Sequence, residues 1–328
     1  MDVFRVMTEL RARYEEEGRY LPKETGLDLI QSTAQDGGGI SARCRDVQVE
    51  DLWGLSTFFG YSTQTFVLAV NLLDRFLALM RVQPKHLSCV GLSCLHLAAQ
   101  RGAPAAAGAA ALSSRRELIR IGQRRFTASD LHRMEKIVAE KLHFTASAVT
   151  PLTFLHLYHQ AVLGQTPSRR DTLSLEKLEA QLKACLCRMS FSKAKPSVLA
   201  LALLRHEIQA VQSEDMLEMT YHMQRHLKIA DAELQAWGER VERCLGDYAS
   251  PRCSRPDHRK LLWVVSRRTA LHLQKSKSCC PPDLPTIPEG WDPGHSEDSE
   301  DVSSGEESLS SSLDGDGGYF PLHLRRRC

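Results

Sequence analysis

Aromatic residues are scarce, at 6% of 328 residues, so a core must come mostly from Leu, Val, Ala, Ile and Met. That mixture favours helices over strands. Long apolar runs are missing as well. Val198 to Leu204 is among the longest, far short of the ~20 residues that cross a bilayer, so no membrane association is expected. The opening Met1-Asp2-Val3-Phe4-Arg5 lacks the charged-then-apolar pattern of a secretory signal. The ten cysteines are sparse over this length, and Cys89, Cys94, Cys185 and Cys244 fall inside apolar helical patterns. They read as reduced, buried thiols of an intracellular protein. A net charge of only +2 argues against a dedicated nucleic-acid binder, which carries a clear basic excess.

That small net charge is a cancellation. Residues 281–318 hold 11 acidic residues and no Lys or Arg, whereas residues 1–280 hold 39 basic against 29 acidic residues, a balance of +10. Arg325, Arg326 and Arg327 add the last three positive charges. The chain is a basic body with an acidic tail.

Helical spacing of apolar residues runs through the body. Phe4, Met7, Leu10 and Tyr14 mark one helix within 1–20, and Asp36-Gly37-Gly38-Gly39 a break. Val49, Leu52, Leu55 and Phe59 form a stripe that Gly60 can close. Ser62 or Thr63 can cap the next helix, with Phe66, Val70, Leu73, Leu77 and Met80 on its apolar side. Pro84 can open a third, with Leu87, Val90, Gly91, Cys94, Leu97 and Ala98 on one face. Gly102 to Ala111 reads as a loop. Ser114 and Glu117 give a capping-box pattern for a short helix ending near Gly122. Another begins near Thr127. Further helical segments are expected at Leu152–Val162, Leu173–Met189, Pro196–Val211, Asp215–Leu227, Asp231–Tyr248 and Pro256–Lys275. The fold class is all-α: two tandem five-helix bundles with a disordered acidic C-terminal tail. The expected divisions are 1–44 (N-terminal helix and linker), 45–148 (first bundle), 149–250 (second bundle), 251–280 (C-terminal helix) and 281–328 (tail rich in Pro, Glu, Ser and Thr).

Catalytic signatures are absent. There is no Gly-rich phosphate loop, no His-Glu-x-x-His and no Gly-x-Ser-x-Gly. Cys185 and Cys187 diverge on a helix and read as packing thiols. His156 and His159 have no acidic or cysteine partner nearby in sequence. No metal, cofactor or enzymatic activity is expected.

Asp74 is more informative. It falls beside the apolar stripe, between Val70 and Leu77. It is either a boundary residue that reaches solvent or a buried carboxylate in need of a cation from another element. Arg45 is the candidate for that structural ion pair.

The run Asn71-Leu72-Leu73-Asp74-Arg75-Phe76-Leu77, with Arg45 lying 29 positions before Asp74, resembles the signature of a cyclin box. Phe58-Phe59-Gly60, Lys85-His86-Leu87-Ser88-Cys89, Arg133-Met134-Glu135-Lys136, Ser192-Lys193-Ala194-Lys195-Pro196-Ser197 and Leu284-Pro285-Thr286-Ile287-Pro288 extend the likeness. It is similar to G-type cyclins from roughly residue 14 to residue 312, nearest to the second G-type paralogue.

The resemblance implies a non-catalytic regulator of cell-cycle progression. It implies a cyclin-dependent-type kinase partner, whose active state the first bundle selects. The family's kinase-facing anchors are a basic residue ending the third helix of the box and an acidic residue in the fifth. Glu135 matches the acidic anchor, although taken alone it reads as a solvated helix residue. The basic position falls on uncharged Gln100, with Arg101 next to it but turned by about 100°. The family's apolar substrate groove has a Trp and an acidic residue where this chain has Asp51 and Gly54, with Trp53 out of register. These departures, with the association of G-type cyclins with restraint of proliferation, point to a growth-restraining adaptor that binds a kinase, a protein phosphatase regulatory subunit, or both. The alternative is a conventional kinase-activating cyclin. A cyclin-fold transcription factor would need a zinc ribbon and a strongly basic face, and no ribbon spacing exists, so no specific nucleic-acid partner is expected. Ser303, Ser304 and Ser311 each precede an acidic residue by three positions. They are candidate phosphorylation sites, each adding about −1.5 to −2 in charge, through which degradation machinery could read the tail. Cytoplasmic and nuclear localisation is expected.

Overall fold

A computed structural model of the chain describes residues 3–32, 39–102, 115–122, 124–143, 148–165 and 172–249. The expected helix at Pro256–Lys275, the tail with Ser303, Ser304 and Ser311, the order of most of Gly102–Ala111 and the Ser114 cap lie outside these residues. Among the described residues there are twelve α-helices and two short 3-10 turns and no strand. The helices are α1 (Val3–Glu16), α2 (Glu24–Ser32), α3 (Ala42–Phe58), α4 (Thr63–Leu79), α5 (Pro84–Gly102), α6 (Arg115–Ile121), α7 (Ala128–Lys141), α8 (Pro151–Gln165), α9 (Leu175–Leu186), α10 (Pro196–Val211), α11 (Glu214–Leu227) and α12 (Asp231–Ala249).

Local chemistry starts and stops these elements. Ser41 and Ser62 accept backbone N–H bonds as the N-caps of α3 and α4. Thr127 and Asp130 form a reciprocal capping box at α7. Such caps satisfy donors that the first helical turn leaves orphaned. Gly60 follows α3 with φ +66°, a left-handed turn that glycine adopts without strain.

Each bundle is organised around one helix. In the first, α5 packs against α3, α4 and α7. Every described residue from Cys89 to Ala99 is buried, so α5 is surrounded rather than one-faced, contrary to the single stripe expected of it. Small residues permit this. An added Cβ at Gly91 would lie 2.7 Å from the Gln48 amide of α3. In the second bundle, α10 plays the same part against α8, α9, α11 and α12, with Pro196 to Leu204 all buried. A helix apolar on all sides demands such a central position.

The linker holds an additional helix, α2, which the sequence reading did not place. Its Gly26 backs directly onto α4, where an added Cβ would come within 2.1 Å of the Ala78 carbonyl oxygen. α1 packs on α8 and α11 of the second bundle. Just after α1, the buried Glu17 accepts from Ser197 N–H and Oγ, each at 2.9 Å. That carboxylate supplies the N-terminal partner that α10 lacks from its own N-cap Lys195.

Candidate functional site

Arg45 and Asp74 meet in the core. Arg45 Nε and Nη2 donate to the two Asp74 oxygens at 2.8 and 2.7 Å. Both residues are buried, so the solvent-reaching alternative for Asp74 does not hold. The pair also ties the two bundles together. Arg45 Nη1 donates to the Leu186 carbonyl at the end of α9 at 2.7 Å, and Ser192 Oγ donates to Asp74 at 2.8 Å. Beside them, Asp46 accepts from the Met189 N–H at 2.7 Å. Three groups of the second bundle, one at the end of α9 and two in the turn that follows it, thus bind one charge cluster of the first. A buried ion pair endures only when its remaining hydrogen-bonding capacity is met in this way.

The kinase-facing residues assigned by resemblance gather where α5 ends, beside α6 and α7. Gln100 and Arg101 are exposed on the last turn of α5. Glu135 is 4% exposed, so it is not the solvated helix residue it resembles in isolation. Its carboxylate accepts from Arg115 Nη2 at 2.7 Å and Nε at 3.0 Å, and lies 2.8 Å from His96 Nδ1. The Gln100 amide stands 3.1 Å from that same His96 nitrogen. Burial pushes the Glu135 carboxyl up, but hydrogen bonds from His96 and Arg115 outweigh it, and the net direction is below the ordinary value. Glu135 is therefore a carboxylate held by two basic side chains of its own chain. Arg115 is raised above its ordinary value, chiefly by its hydrogen bond to Glu135.

Sequence reasoning missed Arg115 and His96. Arg115 lies 20 residues from its partner and next to a second arginine, Arg116, so spacing offers no sign of which one turns inward. His96 falls four residues before Gln100, a helical neighbour that could have been paired with it.

The residues occupying the family's substrate-groove positions are also engaged. Asp51 pairs with Arg124 at 2.7 Å, and Arg124 donates to Ser88 Oγ at 3.1 Å. Gly54 is buried, and Trp53 packs inward, its ring centroid 6.3 Å from that of Phe66. A polar bridge thus takes the place of an aromatic floor.

Cys185, Cys187 and Cys244 are buried free thiols. His156 meets Glu179 at 2.8 Å, a partner distant in sequence, while His159 contacts the Leu173 carbonyl. Among the described residues, no group of three His, Cys, Asp or Glu is arranged to hold a metal, and no helix is long and apolar enough to cross a membrane.

The cyclin N-terminal domain family matches residues 3–147, which takes in α1 and α2 as well as the first bundle. Cyclin-G2 of Mus musculus is 54% identical over 301 residues, covering 91% of this chain and 86% of that protein. Cyclin-G2 of Homo sapiens is 52% identical over 306 residues, covering 92% and 88%. Cyclin-G1 of Homo sapiens is 48% identical over 294 residues, covering 88% and 96%. Among solved structures, a viral cyclin from herpesvirus saimiri aligns with a TM-score of 0.51 at 17% identity, over 72% of this chain and 97% of that one. That last likeness carries the fold alone. With relatives this similar along most of its length, the chain belongs to the cyclin family, within its G type, and is a non-catalytic regulator of the cell cycle.

Proposed function

We propose that this chain is a growth-restraining adaptor of the cell cycle. It binds a cyclin-dependent-type kinase through Gln100, Arg101 and Glu135, and protein phosphatase regulatory subunits as further partners. The observation that carries this reading is the state of the acidic anchor. Glu135 is buried and already held by Arg115 and His96, while the basic anchor position is the neutral Gln100. A kinase helix approaching this face meets a carboxylate that must give up in-chain partners before it can be shared. Binding without strong selection of the active kinase state follows from such a face. The acidic segment with Ser303, Ser304 and Ser311 would serve as the region read by degradation machinery, and the adaptor would act in both cytoplasm and nucleus.

One observation favours the second reading, a conventional kinase-activating cyclin. Arg115 stands 2.7 Å from Glu135 and remains one-third exposed, so a cation is present at this face although Gln100 supplies none.

Affinity purification of the full chain from dividing cells, with kinase assays on the recovered complexes, separates the two. Arg101→Glu alters an exposed position at the end of α5. Under the adaptor reading, Arg101→Glu lowers kinase recovery at least several-fold, phosphatase subunits co-purify, and the recovered kinase is weakly active. Kinase recovery unchanged by Arg101→Glu removes the assigned face. A fully active kinase without phosphatase subunits replaces the adaptor with the activator.

A further inference from the structure

A groove runs between the first half of α5 and α7, away from the Gln100–Glu135 cluster. It comprises a cavity of about 710 Å³ continuous with one of about 480 Å³, because Lys85, His86, Met134 and Ile137 line both. Its floor is apolar, with Phe126 and Met134 half-buried and Ile137 41% exposed. An aliphatic side chain so exposed on a helix is unremarkable alone, but here it borders a concave apolar surface.

The rim is basic. Lys85, Arg124, Arg125 and Arg133 line the larger cavity against one carboxylate, Asp130. Asp130 is committed to its own chain, accepting from Thr127 N–H and Oγ and from Arg133. Arg124 spends its two terminal nitrogens on Asp51 and Ser88, and its Nε has no acceptor among the described residues. The first turns of α5 and α7 both open onto the groove, and helix N-termini add partial positive charge there. Floor and rim together select an elongated ligand that carries several negative charges and places aliphatic side chains between them.

We infer that this groove is a docking site for an acidic peptide segment of a partner protein, with aliphatic residues seated over Met134 and Ile137 and carboxylates or phosphates facing Lys85 and Arg125. The site does not depend on the kinase-facing assignment.

Fluorescence anisotropy on the full chain tests it with three labelled 12-residue probes. One alternates Glu, Ser and Leu, the second carries phosphoserine at the same serines, and the third has Lys in place of every Glu. The acidic probes are expected to bind, with affinity falling as salt rises, and the lysine probe at least tenfold more weakly. Lys85→Glu with Arg125→Glu should weaken the acidic probes tenfold or more at an unchanged helical circular dichroism. Ile137→Ser should weaken both acidic probes at high salt, and Arg101→Glu should leave all three unaffected. Equal binding of the lysine probe overturns the inference, as does acidic-probe affinity indifferent to the charge reversal. Concentration-dependent self-association abolished by Ile137→Ser would instead give the groove to a second copy. A tenfold gain in probe affinity on deleting 281–318 would give it to the chain's own acidic segment.

Discussion

Arg45 in α3 donates a 2.7 Å hydrogen bond to the carbonyl of Leu186, 141 residues later at the end of α9. The same guanidinium is bidentate on Asp74, so one side chain orders the first bundle internally and fastens the second to it.

Removing one partner of this cluster should be costly. Asp74→Ala takes from the charged, buried Arg45 its bidentate partner, and from Ser192 its carboxylate acceptor. A loss of about 3–5 kcal/mol is expected in urea-induced unfolding monitored by circular dichroism. The double variant Arg45→Met with Asp74→Leu should be less destabilised than Asp74→Ala, because neither member of the bidentate pair is left without the other and Asp46 keeps its bond from the Met189 N–H. An additive or larger loss in the double variant would show that the links to Leu186 and Ser192, rather than charge pairing, dominate.

Glu135 makes stability depend on acid. Its folded-state carboxyl lies below the ordinary value of 4.5 despite burial, because His96 and Arg115 hold the charged form. The stabilisation is therefore fully present above pH 4.5 and is lost as pH falls through the lowered folded value. Glu135→Gln should cost on the order of 1–3 kcal/mol at neutral pH and flatten the acid limb of stability against pH. An unchanged limb in the variant would place the acid sensitivity elsewhere.

Glu17 predicts the opposite slope. Burial raises its carboxyl above the ordinary value, more than the Ser197 hydrogen bonds lower it. The folded state then binds a proton more tightly than the unfolded state, so this group's contribution falls as pH rises from 4.5 through the raised value. Glu17→Gln keeps an acceptor for Ser197 and should remove that fall. Glu17→Ala orphans the Ser197 N–H at the start of α10 and should cost about 1–3 kcal/mol. Equal effects of the two substitutions would deny the hydrogen bonds their role.

Two glycines should respond with opposite sign. Gly26→Ala forces a Cβ against the Ala78 backbone, and rigid overpacking of this kind costs about 1–3 kcal/mol. Gly238 lies within α12 with nothing within 4 Å of an added Cβ. Gly238→Ala should therefore stabilise by about 0.5–1 kcal/mol, because alanine loses less conformational freedom in a helix. Thermal unfolding of both variants checks the pair. A neutral Gly26→Ala would mean that α2 can lift from α4 at little cost.

Much of this architecture was legible in the chain. Apolar spacing, Pro84, Pro196 and the Thr127 cap located the helices of both bundles, because these signals act within a turn or two of the residues that carry them. α10 begins and ends at the residues expected, Pro196 and Val211. α2 escaped notice because its nine residues carry few apolar positions, and its placement rests on a glycine contact with a distant helix. The encirclement of α5 was also hidden, since periodicity reports which face is apolar and not how many neighbours a helix acquires.

Local patterns along the chain are enough for the helical class, the two-bundle order, the charge split between body and tail, and the residues that place the chain among G-type cyclins. What the charged groups do depends on packing between distant segments. That packing gave Asp74 its cation and Arg45 its second-bundle acceptor, took Glu135 out of solvent, and set Arg115 rather than Arg101 against it. The reason is physical: helix formation is governed by neighbours three and four residues away, whereas the fate of a charge is governed by whichever groups burial brings within about 3 Å.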